Sequence, residues 1–203
     1  LIFMGSKYSY FLMLFFFVPI SLETRTILTL WLKIVPDYAV VFTQLTLMST
    51  MCLTLGNTMI PAVQATGKIR NYTISMGLMA LSNFPLTWAA FALGASPTWA
   101  YVIYFLIFFS MVFVRLYIVR GLIHLSVCDF VRKVLMRAGA VTVVAYVGPL
   151  VVCLLQPDSI FRVIEICVVS SLCSVLAIYV VGLNGFERDF VKSKVLSKCR
   201  IAS

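Results

Sequence analysis

The chain has 203 residues, of which 62% are apolar and 11% charged, and its net charge is +9. Soluble domains carry about 45–50% apolar and about 25% charged residues, so an aqueous fold of this length would leave apolar surface uncovered; the mean hydropathy of +1.06 agrees. The positive charge does not mark a nucleic-acid binder, because the basic residues lie between apolar runs, where membrane topology accounts for them.

A helix that crosses a bilayer needs about 20 mostly apolar residues. In chain order, such runs fall at 8–30, 38–63, 72–93, 98–122, 134–155 and 160–183. They predict an all-α integral membrane fold, a bundle of about six transmembrane helices over 1–185 followed by a basic tail over 186–203. Breakers separate the runs: Val35-Pro36-Asp37, Ala65-Thr66-Gly67-Lys68, Gly94-Ala95-Ser96-Pro97, Asp129 to Lys133, and Gln156-Pro157-Asp158. A residue before proline is pushed out of helical geometry, which gives several of these stops a mechanism. The run 8–20 does not read as a signal peptide, since no small-residue cleavage site follows it and Glu23 and Arg25 do. An opening on Leu1 rather than methionine is expected of a trimmed chain or a fragment.

Positive charge alternates from loop to loop. Lys7, Lys68, Arg70, Arg115, Arg120, Arg132, Lys133, Arg137 and the basic residues of the tail fall on one side, and only Arg25, Lys33 and Arg162 on the other. The positive-inside rule predicts that the first side, with both ends of the segment, is cytoplasmic. Trp31 and Trp99 fall at the expected outer ends, where amphipathic rings favour the headgroup level. In the tail, Phe186 with Phe190 and Val191 with Val195 are spaced for a short helix lying on the membrane surface; a solvated basic tail reads equally well.

Candidate functional residues follow from polarity within the spans. Thr43, Thr46, Thr50, Thr54, Asn57 and Gln64 recur along one stripe of the second span, as expected for the lining of a cavity, although Ser and Thr also serve helix packing. Glu23 and Arg25 are the charged residues well inside the first span; being two apart, they do not share a face. Each is expected to meet a cavity or another helix, with outward snorkelling as the alternative for Arg25. Arg162 and Glu165 are spaced for a local surface pair, and Arg115 and Arg120 for snorkelling at the inner leaflet. Pro85, next to Asn83, and Pro149 are candidate hinges, Pro19 an ordinary tolerated proline. Cys52, Cys153, Cys167 and Cys173 lie in apolar runs as packing residues, and no C-x-x-C, paired-carboxylate motif or Gly-rich phosphate loop accompanies the single His124. The expectation is a protein that is not an enzyme and uses neither metal nor cofactor.

Several stretches together carry a resemblance. They are Ile27-Leu28-Thr29-Leu30-Trp31-Leu32 with Val35-Pro36-Asp37-Tyr38-Ala39, then Gln64-Ala65-Thr66-Gly67-Lys68-Ile69-Arg70-Asn71-Tyr72, Asn83-Phe84-Pro85-Leu86-Thr87, Leu93-Gly94-Ala95-Ser96-Pro97, Arg115-Leu116-Tyr117, and Gly182-Leu183-Asn184 before Glu187-Arg188. In this order they resemble the C-terminal half of bacterial polysaccharide flippases, the O-antigen and exopolysaccharide exporters of the multidrug/oligosaccharidyl-lipid/polysaccharide exporter superfamily. The resemblance implies a multi-pass protein of the bacterial inner membrane, built from two six-helix bundles around a central cavity, this chain supplying the second. It implies export of undecaprenyl-diphosphate-linked oligosaccharide by alternating access for lipopolysaccharide or other surface-polysaccharide synthesis. The partners implied are the lipid-linked substrate, membrane lipids, the N-terminal bundle, and the glycosyltransferases and polymerase of such a pathway. A pathway for the anionic headgroup would then run from Lys68 and Arg70 along the stripe to Arg25, with Glu23 moderating the charge there. A cation-coupled multidrug exporter of the same superfamily and a membrane-embedded enzyme of glycan assembly are the competing readings; the first needs buried acids and the second a clustered catalytic site.

Overall fold

The structure, a computed structural model, describes residues 2–32, 34–123, 126–156 and 160–183. The tail over 186–203 lies outside the described residues, as do Lys33 and His124. Every regular element among the described residues is helical, and six helical spans are long and apolar enough to cross a membrane. The chain is an all-α membrane bundle.

The first span is α1 (Ile2–Leu22), continued past an irregularity at Glu23 by α2 (Thr24–Leu32). It begins six residues before the expected start at 8. Lys7, expected before the first span with the charges of the basic side, lies buried inside the helix. The second span is α3 (Ala39–Asn57) with α4 (Met59–Ala65), and the third is α5 (Ile69–Leu81) with α6 (Asn83–Ala92). The fourth is the unbroken α7 (Thr98–Ile123). The fifth starts at α8 (Val127–Phe130), passes through a π-helical turn over Val131–Leu135 and continues as α9 (Met136–Leu155). The sixth is α10 (Ile160–Ala177), closed by a second π-helical turn, Ile178–Gly182.

Two of the breaks share one cause. Thr58, between α3 and α4, stands three residues before Pro61, and Ser82, between α5 and α6, three residues before Pro85. Proline lacks the amide proton, and its ring crowds the carbonyl four residues back, so the helix is perturbed one turn upstream. The break expected around Pro85 is therefore found at Ser82. Pro149 behaves differently: α9 runs through it without interruption, and the ring is buried. Between spans, Gly67 (φ 69°) and Gly94 (φ 82°) take up left-handed backbone that a side chain would strain. At Gly94 the amide of Ala95 returns to the Ala90 carbonyl at 3.0 Å, which ends α6.

In lipid, helices gain little from hiding apolar surface, and close packing with interhelical hydrogen bonds holds the bundle instead. The first span is the hub. Its buried residues Lys7, Tyr10, Phe11, Leu14, Phe17 and Val18 recur every three or four positions, and α1 packs on α3, α9 and α10. Tyr10 Oη and Thr142 Oγ1 share a hydrogen bond of 2.8 Å, and the hydroxyls of Ser6 with Thr58 and of Ser21 with Tyr146 tie α1 to its neighbours. Gly148 admits the Cys173 sulfur where α9 meets α10, a contact that a side chain at 148 would obstruct. On the other flank α3 packs on α7, and α7 carries the third span. That span is the least covered of the six; Tyr72 and Met76 are its buried residues.

These contacts join like ends of the spans. Phe42 of α3 stacks on Tyr101 of α7 at 4.2 Å, whereas Phe3 of α1 meets Phe130 of α8 at 5.8 Å. The bundle thus has a basic end, with Lys68, Arg70, Arg120, Arg132 and Lys133 exposed, and an opposite end with Trp31 and Trp99 exposed.

Candidate functional site

At the opposite end the structure builds a buried ion pair. The irregularity after α1 turns Glu23 inward, where 1% of its side chain is exposed, while Arg25, two residues on, faces out. Arg162, in the first turn of α10, donates from Nε to Glu23 Oε1 at 2.7 Å. Thr26 Oγ1 donates to the other carboxylate oxygen at 2.6 Å, so both oxygens are satisfied. Arg162 Nη1 also donates to the Gln156 carbonyl at 2.9 Å, and Gln156 Nε2 donates to Glu165 Oε2 at 2.7 Å. In place of the surface pair expected between Arg162 and Glu165, the arginine joins the first span to the sixth. The contact spans 139 positions, and no local spacing announces it. Between α2 and α10 runs an apolar groove of about 450 Å³ past Thr26, Ile27, Leu30 and Ile164.

The stripe of the second span lies on the outside of this bundle. Thr46 and Asn57 are exposed on α3, Thr43, Thr50 and Thr54 half-buried, and Gln64 exposed on α4. The buried positions of α3 are Ser49, Met51, Leu55 and Gly56, which are on the other side of the helix. A groove of about 330 Å³ between α1, α3 and α9 is lined by Ser21, Val41, Gln44, Leu45, Met48 and Tyr146, on the face opposite the stripe. The threonine hydroxyls return to their own helix: Thr43 to the Ala39 carbonyl, Thr46 to Phe42, Thr50 to Thr46 and Thr54 to Thr50, at 2.8 to 2.9 Å. Asn57 and Gln64 leave their amides at the surface.

The remaining candidates are scattered. Lys68 and Arg70 are exposed at the turn from α4 to α5, and Asn83 is half-buried at the start of α6, 3.5 Å from the Thr87 hydroxyl. Neither end brings Lys68 and Arg70 together with Arg25, since a full span separates them. Among the described residues no three His, Cys, Asp or Glu side chains group as metal ligands.

One residue read only as a snorkelling cation occupies a different place. Arg120 is exposed, as snorkelling requires, but Arg115 is 7% exposed. Its guanidinium lies on Gly56, where a Cβ would fall 2.5 Å from Nη1 and 3.0 Å from Cδ. The ring of Tyr72 stands 5.9 Å from its Cζ. Among the described residues, Arg115 Nε and Nη1 and the Tyr72 hydroxyl have no hydrogen-bond partner. Position eight residues from the end of α7 suggested that the side chain could reach water; only the facing glycine on α3 could have hinted that it turns inward.

Fold and charge distribution define a multi-pass membrane protein of six spans. No family model, curated protein or solved structure matches the chain.

Proposed function

We propose that this bundle is one half of a two-bundle exporter that moves lipid-linked oligosaccharide across the bacterial inner membrane, with its basic end in the cytoplasm. The observation that carries the reading is the polar stripe from Thr46 to Gln64, turned away from the bundle that holds it. Lipid cannot hydrogen-bond the amides of Asn57 and Gln64, so such a stripe belongs against water or a partner. A companion bundle facing the second span would enclose an aqueous cleft there. A sugar headgroup needs that polar route, while its polyprenyl tail stays in lipid. Two bundles rocking about the cleft would then alternate its opening. The resemblance of the Gln64-to-Tyr72 and Asn83-to-Thr87 stretches to polysaccharide flippases names the cargo.

Cation-coupled drug export is the weaker reading. It asks for a buried acid free to take up an ion, and Glu23 has both oxygens occupied, by Arg162 and Thr26.

Two measurements test the proposal. In the host, loss of the intact protein should leave undecaprenyl-diphosphate oligosaccharide in the inner leaflet and strip the cell surface of that glycan; normal surface glycan would refute the function. Cysteines at Thr46, Thr50, Thr54 and Asn57 should react with water-soluble thiol reagents in the intact protein faster than a cysteine at Leu55, on the buried side of the helix. Uniformly slow reaction along the stripe would refute the cleft.

A further inference from the structure

We infer that Arg115, Gly56 and Tyr72 form a binding site for a phosphate oxyanion, set within the basic half of the bundle where α3, α5 and α7 meet. This inference does not depend on the export reading, since it concerns what the site binds and not what the chain moves.

The argument starts from an imbalance. A guanidinium cannot shed its proton inside a protein, so Arg115 is a permanent charge wherever it lies. Withdrawing a charge from water is expensive unless a counter-charge and hydrogen bonds replace the solvent. Here no counter-charge is recorded among the described residues: Nε and Nη1 have no acceptor there, and the neighbour of the group is the neutral side chain of Tyr72, whose ring centroid lies 5.9 Å from Cζ. Asp129, a carboxylate of the basic end, is engaged by Lys133 at 3.2 Å. The bundle nevertheless makes room for the charge. Gly56 clears the space that any Cβ would fill, so the guanidinium is seated in a cradle and not merely trapped. The Tyr72 hydroxyl, buried and also unpartnered, adds a further donor.

An arginine fork with a tyrosine hydroxyl, and with no acid paired to it among the described residues, is a donor set for an anion. Arginine suits phosphate because its donors are fixed in a plane and match two oxygens at once. Depth narrows the source. Arg115 lies eight residues before the end of α7, or about 12 Å along a helix rising about 1.5 Å per residue. That is deeper than the interface where Arg120 and Lys68 sit. A headgroup phosphate bound here would be drawn between spans from the adjoining leaflet, and free phosphate would have to enter from the basic end.

The test uses the full chain purified in a nonionic detergent, with thermal unfolding read against added ligand. Dioleoyl phosphatidic acid and polyprenyl phosphate should raise Tm, and dioleoylglycerol, which lacks the phosphate, should not. Arg115→Met should weaken the response at least tenfold in ligand concentration, Arg115→Lys less, and Tyr72→Phe several-fold. Gly56→Ala should act like Arg115→Met by displacing the guanidinium. Inorganic phosphate separates the sources: competition by it shows that the anion alone is recognised, and lipid binding that it does not relieve shows that the whole lipid is, and either result upholds the site. Equal responses to phosphatidic acid and dioleoylglycerol in the unaltered chain would overturn the inference, as would an unchanged phosphatidic acid response in Arg115→Met. The first criterion holds even if a variant fails to fold.

Discussion

Glu23 and Arg115 are both charged, both buried and both in membrane spans, yet the bundle treats them in opposite ways. Around Glu23 it closes a set of partners: Arg162 and Thr26 each hold one carboxylate oxygen. Around Arg115 it opens a cradle at Gly56 and leaves two nitrogens without acceptors among the described residues. A closed set of partners serves to fasten elements, here the first span to the sixth. An open set is stable only to the extent that something else completes it. Burial by itself therefore does not separate a structural charge from a binding charge; the hydrogen-bond inventory of each group does.

The sharpest way to break this contrast is to remove one member of the closed pair. Glu23→Ala removes the carboxylate that Arg162 Nε meets and should cost about 3–5 kcal/mol, read from thermal or denaturant unfolding in detergent. Replacing both, Glu23→Leu with Arg162→Met, should restore most of that loss, because apolar side chains of similar size stand in for a buried ion pair at little cost. A double variant as unstable as the single one would show that the pair does more than neutralise itself. Thr26→Val should cost less, about 1.5–3 kcal/mol, as expected for a hydrogen bond to a charged acceptor. Arg115→Met should go the other way: in detergent free of phosphate it should unfold at the same temperature as the parent or a higher one. A large fall would mean that Arg115 fastens the bundle as Glu23 does. Arg25→Ala should change stability least, within about 0.5 kcal/mol, because the side chain is exposed. In the intact protein it should nonetheless lower glycan export at matched expression, with Arg25→Lys retaining part of it. Normal export would leave Arg25 as an interfacial anchor and remove it from the proposed pathway.

The parts of this molecule legible in its sequence are those that depend on one helix at a time. Six spans follow from the length of apolar runs, and their turns from Pro, Gly and Asp. The perturbations at Thr58 and Ser82 follow from Pro61 and Pro85 once the one-turn offset is applied. The threonine stripe is visible as a period, but a period fixes only which residues share a face. Whether that face looks into the bundle or away from it depends on where α1 and α7 dock, and Ser49 and Gly56 on the other side suit packing just as well. Spacing pairs Arg162 with Glu165 because three residues apart on a helix is a contact that sequence can display; the contact with Glu23 is not. The inward place of Arg115 is hidden for the same reason. Its surroundings come from α3 and α5, and nothing within α7 distinguishes it from Arg120.

The thin attachment of the third span has a consequence for biogenesis. A membrane chain is inserted from its N-terminus, so α5 and α6 enter the bilayer before the helix on which they rest. Their main packing surface is α7, and of the six spans theirs has the lowest hydropathy and the least cover. Until α7 is inserted, this span has little of the protein to dock against. Tyr72 waits with it, and Arg115 arrives last. The oxyanion cradle is thus assembled only when the fourth span closes on the second and the third together, so lipid present at that moment could be enclosed as the helices meet.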